Sequence, residues 1–405
     1  MGPVMTLYEY KSEMEEELQR ILQYWTGIVQ DKEYGGFHGK IDNNNNIDQH
    51  APKGSVLNAR ILWTFSAAYN LTKKECYRSM ATRAYQYVKS FFIDPEYGGV
   101  YWSVDYQGTP LDTKKQIYAI AFAIYGLSEY YLANNDKKVL DDARSLFACI
   151  ERYSYDTRNT GYHEAFTREW EAVSDLRLSE KDANEKKTMN THLHILEAYT
   201  NLYRAWPDES LRNAISGILD NFSEHFIHPA NGHLQLFFDE NWNCRSGLIS
   251  FGHDIEASWL LCEAATGIGD KERKFLFEKN ALRMADSALD AIDTDGGLWY
   301  EYEPVHGWVR EKHWWPQAEA MVGFFNIWQL TRDEKYLQRS MSSWYFVKKY
   351  LLDQRNGEWF WGIKEDHSLM QNEDKAGIWK CPYHNARTCM EIIKRIEAET
   401  TAPPR

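Results

Sequence analysis

The 405-residue chain predicts an all-α protein, an (α/α)6 barrel of about twelve helices with short β-hairpins at the active-site end. Two observations predict it. A glycine turn followed by an aromatic or branched, strand-forming stretch recurs six times, and the interval between turns is filled by two helical stretches of different character. The turns lie at Gly36, Gly99, Gly161, Gly232, Gly297 and Gly357, at steps of 63, 62, 71, 65 and 60 residues. That period is too long for the common solenoids and fits two helices plus a short hairpin.

The elements follow in order. In the first unit, residues 34–41 alternate and run into the turn-rich Asp42-Asn43-Asn44-Asn45-Asn46, which reads as a hairpin tip. Residues 56–69 carry apolar side chains at helical spacing, and a second helical stretch covers 76–93, ended by Pro95. In later units the stretches after the hairpins, 117–131, 189–203, 255–266 and 318–330, are apolar on most sides, the pattern of a buried helix. The stretches before the turns, 137–152, 209–226 and 274–290, carry more charge and read as half-solvated. Six buried helices inside six amphipathic ones close into a toroid. The alternative, an open superhelix of helix pairs, calls for atypical capping repeats, and none is evident.

The unbroken period assigns residues 1–405 to one catalytic domain. A net charge of −13 disfavours nucleic acid, whose phosphates need a basic footprint. No apolar run approaches membrane-spanning length, so no membrane partner is expected. Six scattered cysteines without a CxxC pair point to reduced thiols and a cytoplasmic location. Sixteen Trp and 26 Tyr exceed what a core needs. Their apolar faces and polar edges suit carbohydrate, which presents C–H faces and hydroxyl rims.

The repeat also locates the chemistry. All inner helices of a closed barrel begin at the same end, so polar residues at their starts converge on one pocket. The starts offer Arg60 in unit one and Tyr118 in unit two. Unit three offers Asn190, His192 and His194. Unit four offers His253, Glu256 and Trp259, and unit five Trp314, Trp315, Gln317 and Glu319. Unit six offers Trp379, His384 and Arg387. Asn190 and His194 are i,i+4 and share a helix face, whereas His192 points about 200° round, so only one of the two histidines faces the pocket. His253 and Glu256 are i,i+3, a spacing at which the carboxylate can fix the imidazole's tautomer. His192 and His194 cannot chelate together on a helix, and no metal site is expected.

The motifs of residues 54–63, 187–194, 251–257, 314–320 and 379–385 together resemble the N-acylglucosamine 2-epimerase superfamily, and within it the cellobiose 2-epimerases. The resemblance covers essentially the whole chain. It implies an (α/α)6 barrel and reversible epimerisation at C2 of a reducing-end glucose without cofactor or metal. By the same resemblance His384 and His253 are proton-transferring bases on opposite sugar faces, His194 assists ring opening, and Arg60 holds the enediolate oxygens. Tyr118, Asn190, Glu256, Glu319, Trp315 and Trp379 match positions that contact or orient sugar, and Trp259 joins the binding set by position. A monomer or weak homodimer acting on a small disaccharide is expected.

The chemistry of these residue types agrees. Removing the C2 proton of an open-chain aldose leaves an enediolate, which needs fixed donors at O1 and O2. Arginine is permanently charged with a rigid donor fork. Histidine can take and return a proton near neutral pH. Returning the proton to the opposite face needs two histidines on different walls, or one histidine and a rotating intermediate. Three alternatives stand beside this reading: an N-acylglucosamine 2-epimerase or mannose isomerase acting on monosaccharides, a glycoside hydrolase, and a non-catalytic sugar-binding protein, which solvent exchange at C2 would exclude. The hydrolase requires two opposed carboxylates and leaves three histidines without a task.

Overall fold

A computed structural model describes residues 5–401; the outermost residues of the expected 1–405 domain lie outside these. Twelve α-helices occur among the described residues. The outer ones are α1 (Leu7–Thr26), α3 (Glu75–Tyr87), α5 (Lys137–Tyr153), α7 (Glu209–Asn221), α9 (Lys271–Leu289) and α11 (Glu334–Tyr350). The inner ones are α2 (Ser55–Thr72), α4 (Ile117–Asn134), α6 (Met189–Ala205), α8 (Phe251–Gly267), α10 (Trp314–Thr331) and α12 (Tyr383–Thr401). Inner helices pack in sequence from α2 to α12, and α12 returns to α2. The ring is closed, as the glycine period predicts, and the open superhelix is excluded.

Burial follows the sequence pattern. On α4 every residue from Ile117 to Tyr130 is buried, whereas on α5 only one stripe is, formed by Val139, Ala143, Leu146, Phe147 and Ile150. That stripe has the spacing of a helix with one face on a core. Inner helices α8 and α10 start four residues earlier than the periodicity indicates, at Phe251 and Trp314. Their first turns carry His253, Asp254, Trp315 and Gln317, and this polar content masks the apolar signal at each start.

Short antiparallel pairs ring the mouth where the inner helices begin. Lys53–Gly54 pairs with Ser103–Val104, Lys115–Gln116 with Ala165–Phe166, and Lys187–Thr188 with Phe237–Phe238. Ile249–Ser250 pairs with Glu301–Glu303 and Lys312–His313 with Gly362–Ile363. Each pair stitches one unit to the next, and an Ile41–Ala376 bridge joins the last to the first.

Beneath five of the six glycine turns a buried lysine meets an aspartate. Lys53 meets Asp31 at 2.6 Å, Lys115 meets Asp94 at 2.7 Å, and Lys187 meets Asp156 at 2.8 Å. Lys312 meets Asp293 at 2.6 Å and Lys375 meets Asp353 at 2.5 Å. In four of them the other carboxylate oxygen accepts backbone N–H groups of the turn itself, as Asp31 does from Glu33 and Tyr34. Unit four has His228 and Ile249 at the equivalent places and no such tie. All six cysteines are free thiols. No helix among the described residues is long and apolar enough to cross a membrane.

Candidate active site

The inner helices place side chains by rank. The fourth residue of α6, α8 and α10 is His192, Asp254 and Gln317. All three do one job: each accepts a backbone N–H from the strand after its glycine turn. His192 Nε2 takes Tyr162 N–H at 2.8 Å, Asp254 takes Leu234 N–H at 2.8 Å, and Gln317 takes Leu298 N–H at 2.7 Å. His192 is therefore a strut, with its other ring nitrogen on the Thr188 carbonyl at 2.7 Å. The sixth residues of α2, α6, α8 and α10 are Arg60, His194, Glu256 and Glu319, and Arg387 is the fifth of α12. They meet near the barrel axis.

A cavity of about 460 Å³ opens at this end. It is lined by Arg60, Tyr118, Asn190, His194, His253, Glu256, Trp315, Trp379 and His384, nine of the eleven expected residues. Trp259 and Glu319 do not line it. Both are buried, and Trp259 Nε1 donates to Glu319 at 3.1 Å. Residues 176–183 and Glu185 add a rim to the cavity. That loop accounts for the long 71-residue step of the repeat.

Four histidines line the cavity; His313 contacts Glu311 through Nε2 at 2.8 Å, and two of the three expected ones are backed by carboxylates at Nδ1. His194 Nδ1 lies 2.9 Å from Glu197, and His384 Nδ1 lies 2.7 Å from Glu319. The expected His253–Glu256 pairing does not form. His253 Nδ1 contacts Ser250 Oγ at 2.7 Å, and Glu256 turns instead to Arg387 at 2.9 Å. The i,i+3 spacing permits both geometries, and the buried guanidinium wins the carboxylate. Burial pushes the His253 ring down to about 3, and burial with the Arg60 and Arg387 charges holds His384 well below its usual range. Burial also lowers His194, against the pull of Glu197. All three are neutral, proton-accepting rings at neutral pH.

Arg387 is the hub beneath them. It bonds Glu319 at 2.6 Å, Glu256 at 2.9 Å, and also Glu197 and the Tyr383 hydroxyl. Glu256, Glu319 and His384 bring ligand-type atoms within 4.8 Å of one another. The guanidinium bonds both carboxylates of that trio, so it fills the place a cation would take.

Arg60 is different. It is buried, donates to the Tyr118 hydroxyl at 2.7 Å, and packs over Phe122 at 4.1 Å and Tyr383 at 4.8 Å. Among the described residues it has no carboxylate partner. A buried guanidinium facing a cavity without an anion is a site for one. The Trp315 ring lies 4.7 Å from His253 and 5.6 Å from His384, in contact with both rings. Trp379 stands against Trp102 at 5.7 Å and Tyr118 at 6.0 Å, half-buried at the cavity wall.

Comparison with known proteins identifies the family. The family model for N-acylglucosamine 2-epimerase matches residues 35–388. The chain belongs to this family. It is 50% identical to the cellobiose 2-epimerase of Bacteroides fragilis over 95% of this chain and 98% of that one. The solved cellobiose 2-epimerase of Bacillus thermoamylovorans superposes with a TM-score of 0.92 at 41% identity, over 95% of this chain and 99% of the other. A D-mannose isomerase structure, 20% identical, shares the fold with a TM-score of 0.85.

In this member of the family, sequence reasoning missed Glu197, Ser250, Tyr383 and the rim loop. Glu197 was within reach, because it is i+3 from His194 on the same helix. Ser250 immediately precedes a helix, where serine ordinarily signals a cap.

Proposed function

We propose that the protein is a carbohydrate epimerase that inverts C2 of the reducing-end glucose in β-1,4-linked disaccharides, converting cellobiose to glucosyl-mannose and lactose to epilactose. The observation that carries this reading is the buried Arg60 guanidinium, without a carboxylate partner, in one cavity with His194, His253 and His384. Half of the sequence is shared with a cellobiose 2-epimerase, which supports the disaccharide as substrate.

In this reading His194 assists ring opening of the bound sugar. One of His253 and His384 removes the C2 proton, and the electron pair moves into an enediolate whose oxygens face Arg60. A guanidinium fixed in a desolvated wall stabilises such charge without reorganising. The second histidine returns a proton to the opposite face. Helices α8 and α12 flank α10, so the two bases approach from either side of Trp315. Asn190, Glu256 and Tyr118 orient the reacting sugar, and Trp379 stacks on the unit that does not react.

The test is a proton NMR time course with cellobiose in D2O. Glucosyl-mannose carrying deuterium at C2 is the expected product. A ketose would make the enzyme an isomerase, and turnover of mannose or N-acetylglucosamine alone would overturn the disaccharide assignment. Trp379→Ala should impair cellobiose turnover more than that of any monosaccharide accepted; equal impairment would remove its stacking role.

A further inference from the structure

Three of the four cavity histidines, His194, His253 and His384, differ in what holds Nδ1. A carboxylate only accepts hydrogen bonds. Glu197 and Glu319 therefore fix His194 and His384 with the proton on Nδ1 and the lone pair on Nε2. Ser250 presents a hydroxyl, which can accept from Nδ1–H or, by rotating about its C–O bond, donate to a bare Nδ1.

A second observation singles this serine out. Ser250 occupies the N-cap of α8, where a hydroxyl normally accepts an N–H of the first turn. Thr188 does so at the same place on α6, taking Thr191 N–H at 3.2 Å. Ser250 makes no capping bond, and its buried hydroxyl is committed to His253. A helix end has given up a bond worth about 1 kcal/mol to hold an imidazole.

We infer that Ser250 is a positioning residue for proton transfer by His253, holding its ring while leaving both neutral tautomers accessible. The inference rests on the epimerase reading. A reversible epimerase works in both directions, so a base that takes a proton from one epimer must deliver one to the other. When Nε2 takes the substrate proton, the imidazolium's Nδ1–H is accepted by Ser250 Oγ. When Nε2 returns it, the ring reverts to the neutral Nδ1–H form, still accepted by Ser250 Oγ. At rest the Nε2–H tautomer, its bare Nδ1 accepting from the rotated hydroxyl, is open to His253 and closed to His384, whose Nδ1 faces a carboxylate. The groups that face His253 electrostatically are His194 from α6 and Glu319 from α10, and its ring packs on Trp315.

The experiment compares wild type, Ser250→Ala, Ser250→Thr and Ser250→Asp in C2 exchange in D2O and in steady-state epimerisation, with thermal unfolding as the folding control. Ser250→Ala should lower kcat about tenfold with KM within about twofold, a change in the transition state rather than in binding. Ser250→Thr, which keeps the hydroxyl, should restore it. Ser250→Asp should move the acid limb of the kcat/KM profile up by about one pH unit, because a carboxylate favours the imidazolium. If Ser250→Ala keeps kcat and the acid limb and loses only melting temperature, Ser250 is a structural residue and the inference falls. A wild type without C2 exchange would instead overturn the epimerase reading and this inference with it.

Discussion

Units four and six both present a histidine to the cavity, and they hold it differently. His384 in unit six leans on Glu319, which is gripped by Arg387. Behind it Lys375 ties Asp353, and Lys380 and Asn385 both bond Glu358. His253 in unit four leans on a single hydroxyl, and its glycine turn lacks the buried lysine that meets an aspartate in the other five units. There Asp254 is bonded by His233 at 2.7 Å instead. The difference teaches that the repeat builds one scaffold six times and relaxes it in the unit whose cavity histidine has no carboxylate at Nδ1.

The largest way to break this contrast is to remove the hub of unit six. Arg387→Met should destabilise the fold by about 3–5 kcal/mol, because three buried carboxylates lose their counter-charge. Denaturant unfolding reads this, and a loss below about 1 kcal/mol would mean the network is already neutralised by protons. Glu319→Gln keeps the shape and removes the charge. Its side chain can still hold His384 Nδ1–H but cannot favour the imidazolium, so kcat should fall about a hundredfold, in the range of general-base effects. The same exchange at Glu256, which does not hold His253, should cost less in kcat. Equal losses would show that the carboxylates act only through Arg387.

The scaffold was legible in the sequence and the support of the bases was not. Hydrophobic periodicity states which face of α4 or α6 is buried, and the glycine interval states how many units close the ring. Together they place Arg60, His194, His253 and His384 at one end. Periodicity is silent on which of several buried partners pair across helices. Glu256 had two spacings to satisfy, one to His253 within α8 and one to Arg387 across the ring, and only packing decides between them. Glu319 and Trp259 lie on the right helices one layer too deep to line the cavity. The lysine–aspartate ties were visible as Lys53, Lys115, Lys187 and Lys312 just before inner helices, each opposite an aspartate that opens a glycine turn.

Acid should narrow the contrast. Burial holds both His253 and His384 below the ordinary histidine value of about 6.5. The unfolded chain therefore binds protons that the folded protein refuses, and stability falls as pH drops from about 6.5 toward 3. Replacing either histidine with asparagine should flatten that slope by about 1.4 kcal/mol per pH unit between pH 5.5 and 4, equally for the two walls. Unfolding midpoints at several pH values measure it. A slope unchanged by His253→Asn would mean its Ser250 contact tolerates the charged ring in the folded state, and the two walls would differ in charge as well as in partner.

The finest difference between the units is one glycine. Gly252 is the second residue of α8, where other inner helices carry Tyr118, Asn190 or Trp315. A Cβ there would lie 2.5 Å from the Trp315 ring and 2.9 Å from Pro316. Unit four thus keeps a bare backbone so that the Trp315 indole can sit in contact with His253 and His384. Alanine suits a helix better than glycine by up to about 1 kcal/mol, so Gly252→Ala should cost little stability once the ring shifts. The shift moves the ring that touches both histidines, and KM for the disaccharide should rise about tenfold, the equivalent of about 1.4 kcal/mol of lost binding. An unchanged KM together with a lower melting temperature would show that Trp315 packs the wall and does not hold the sugar.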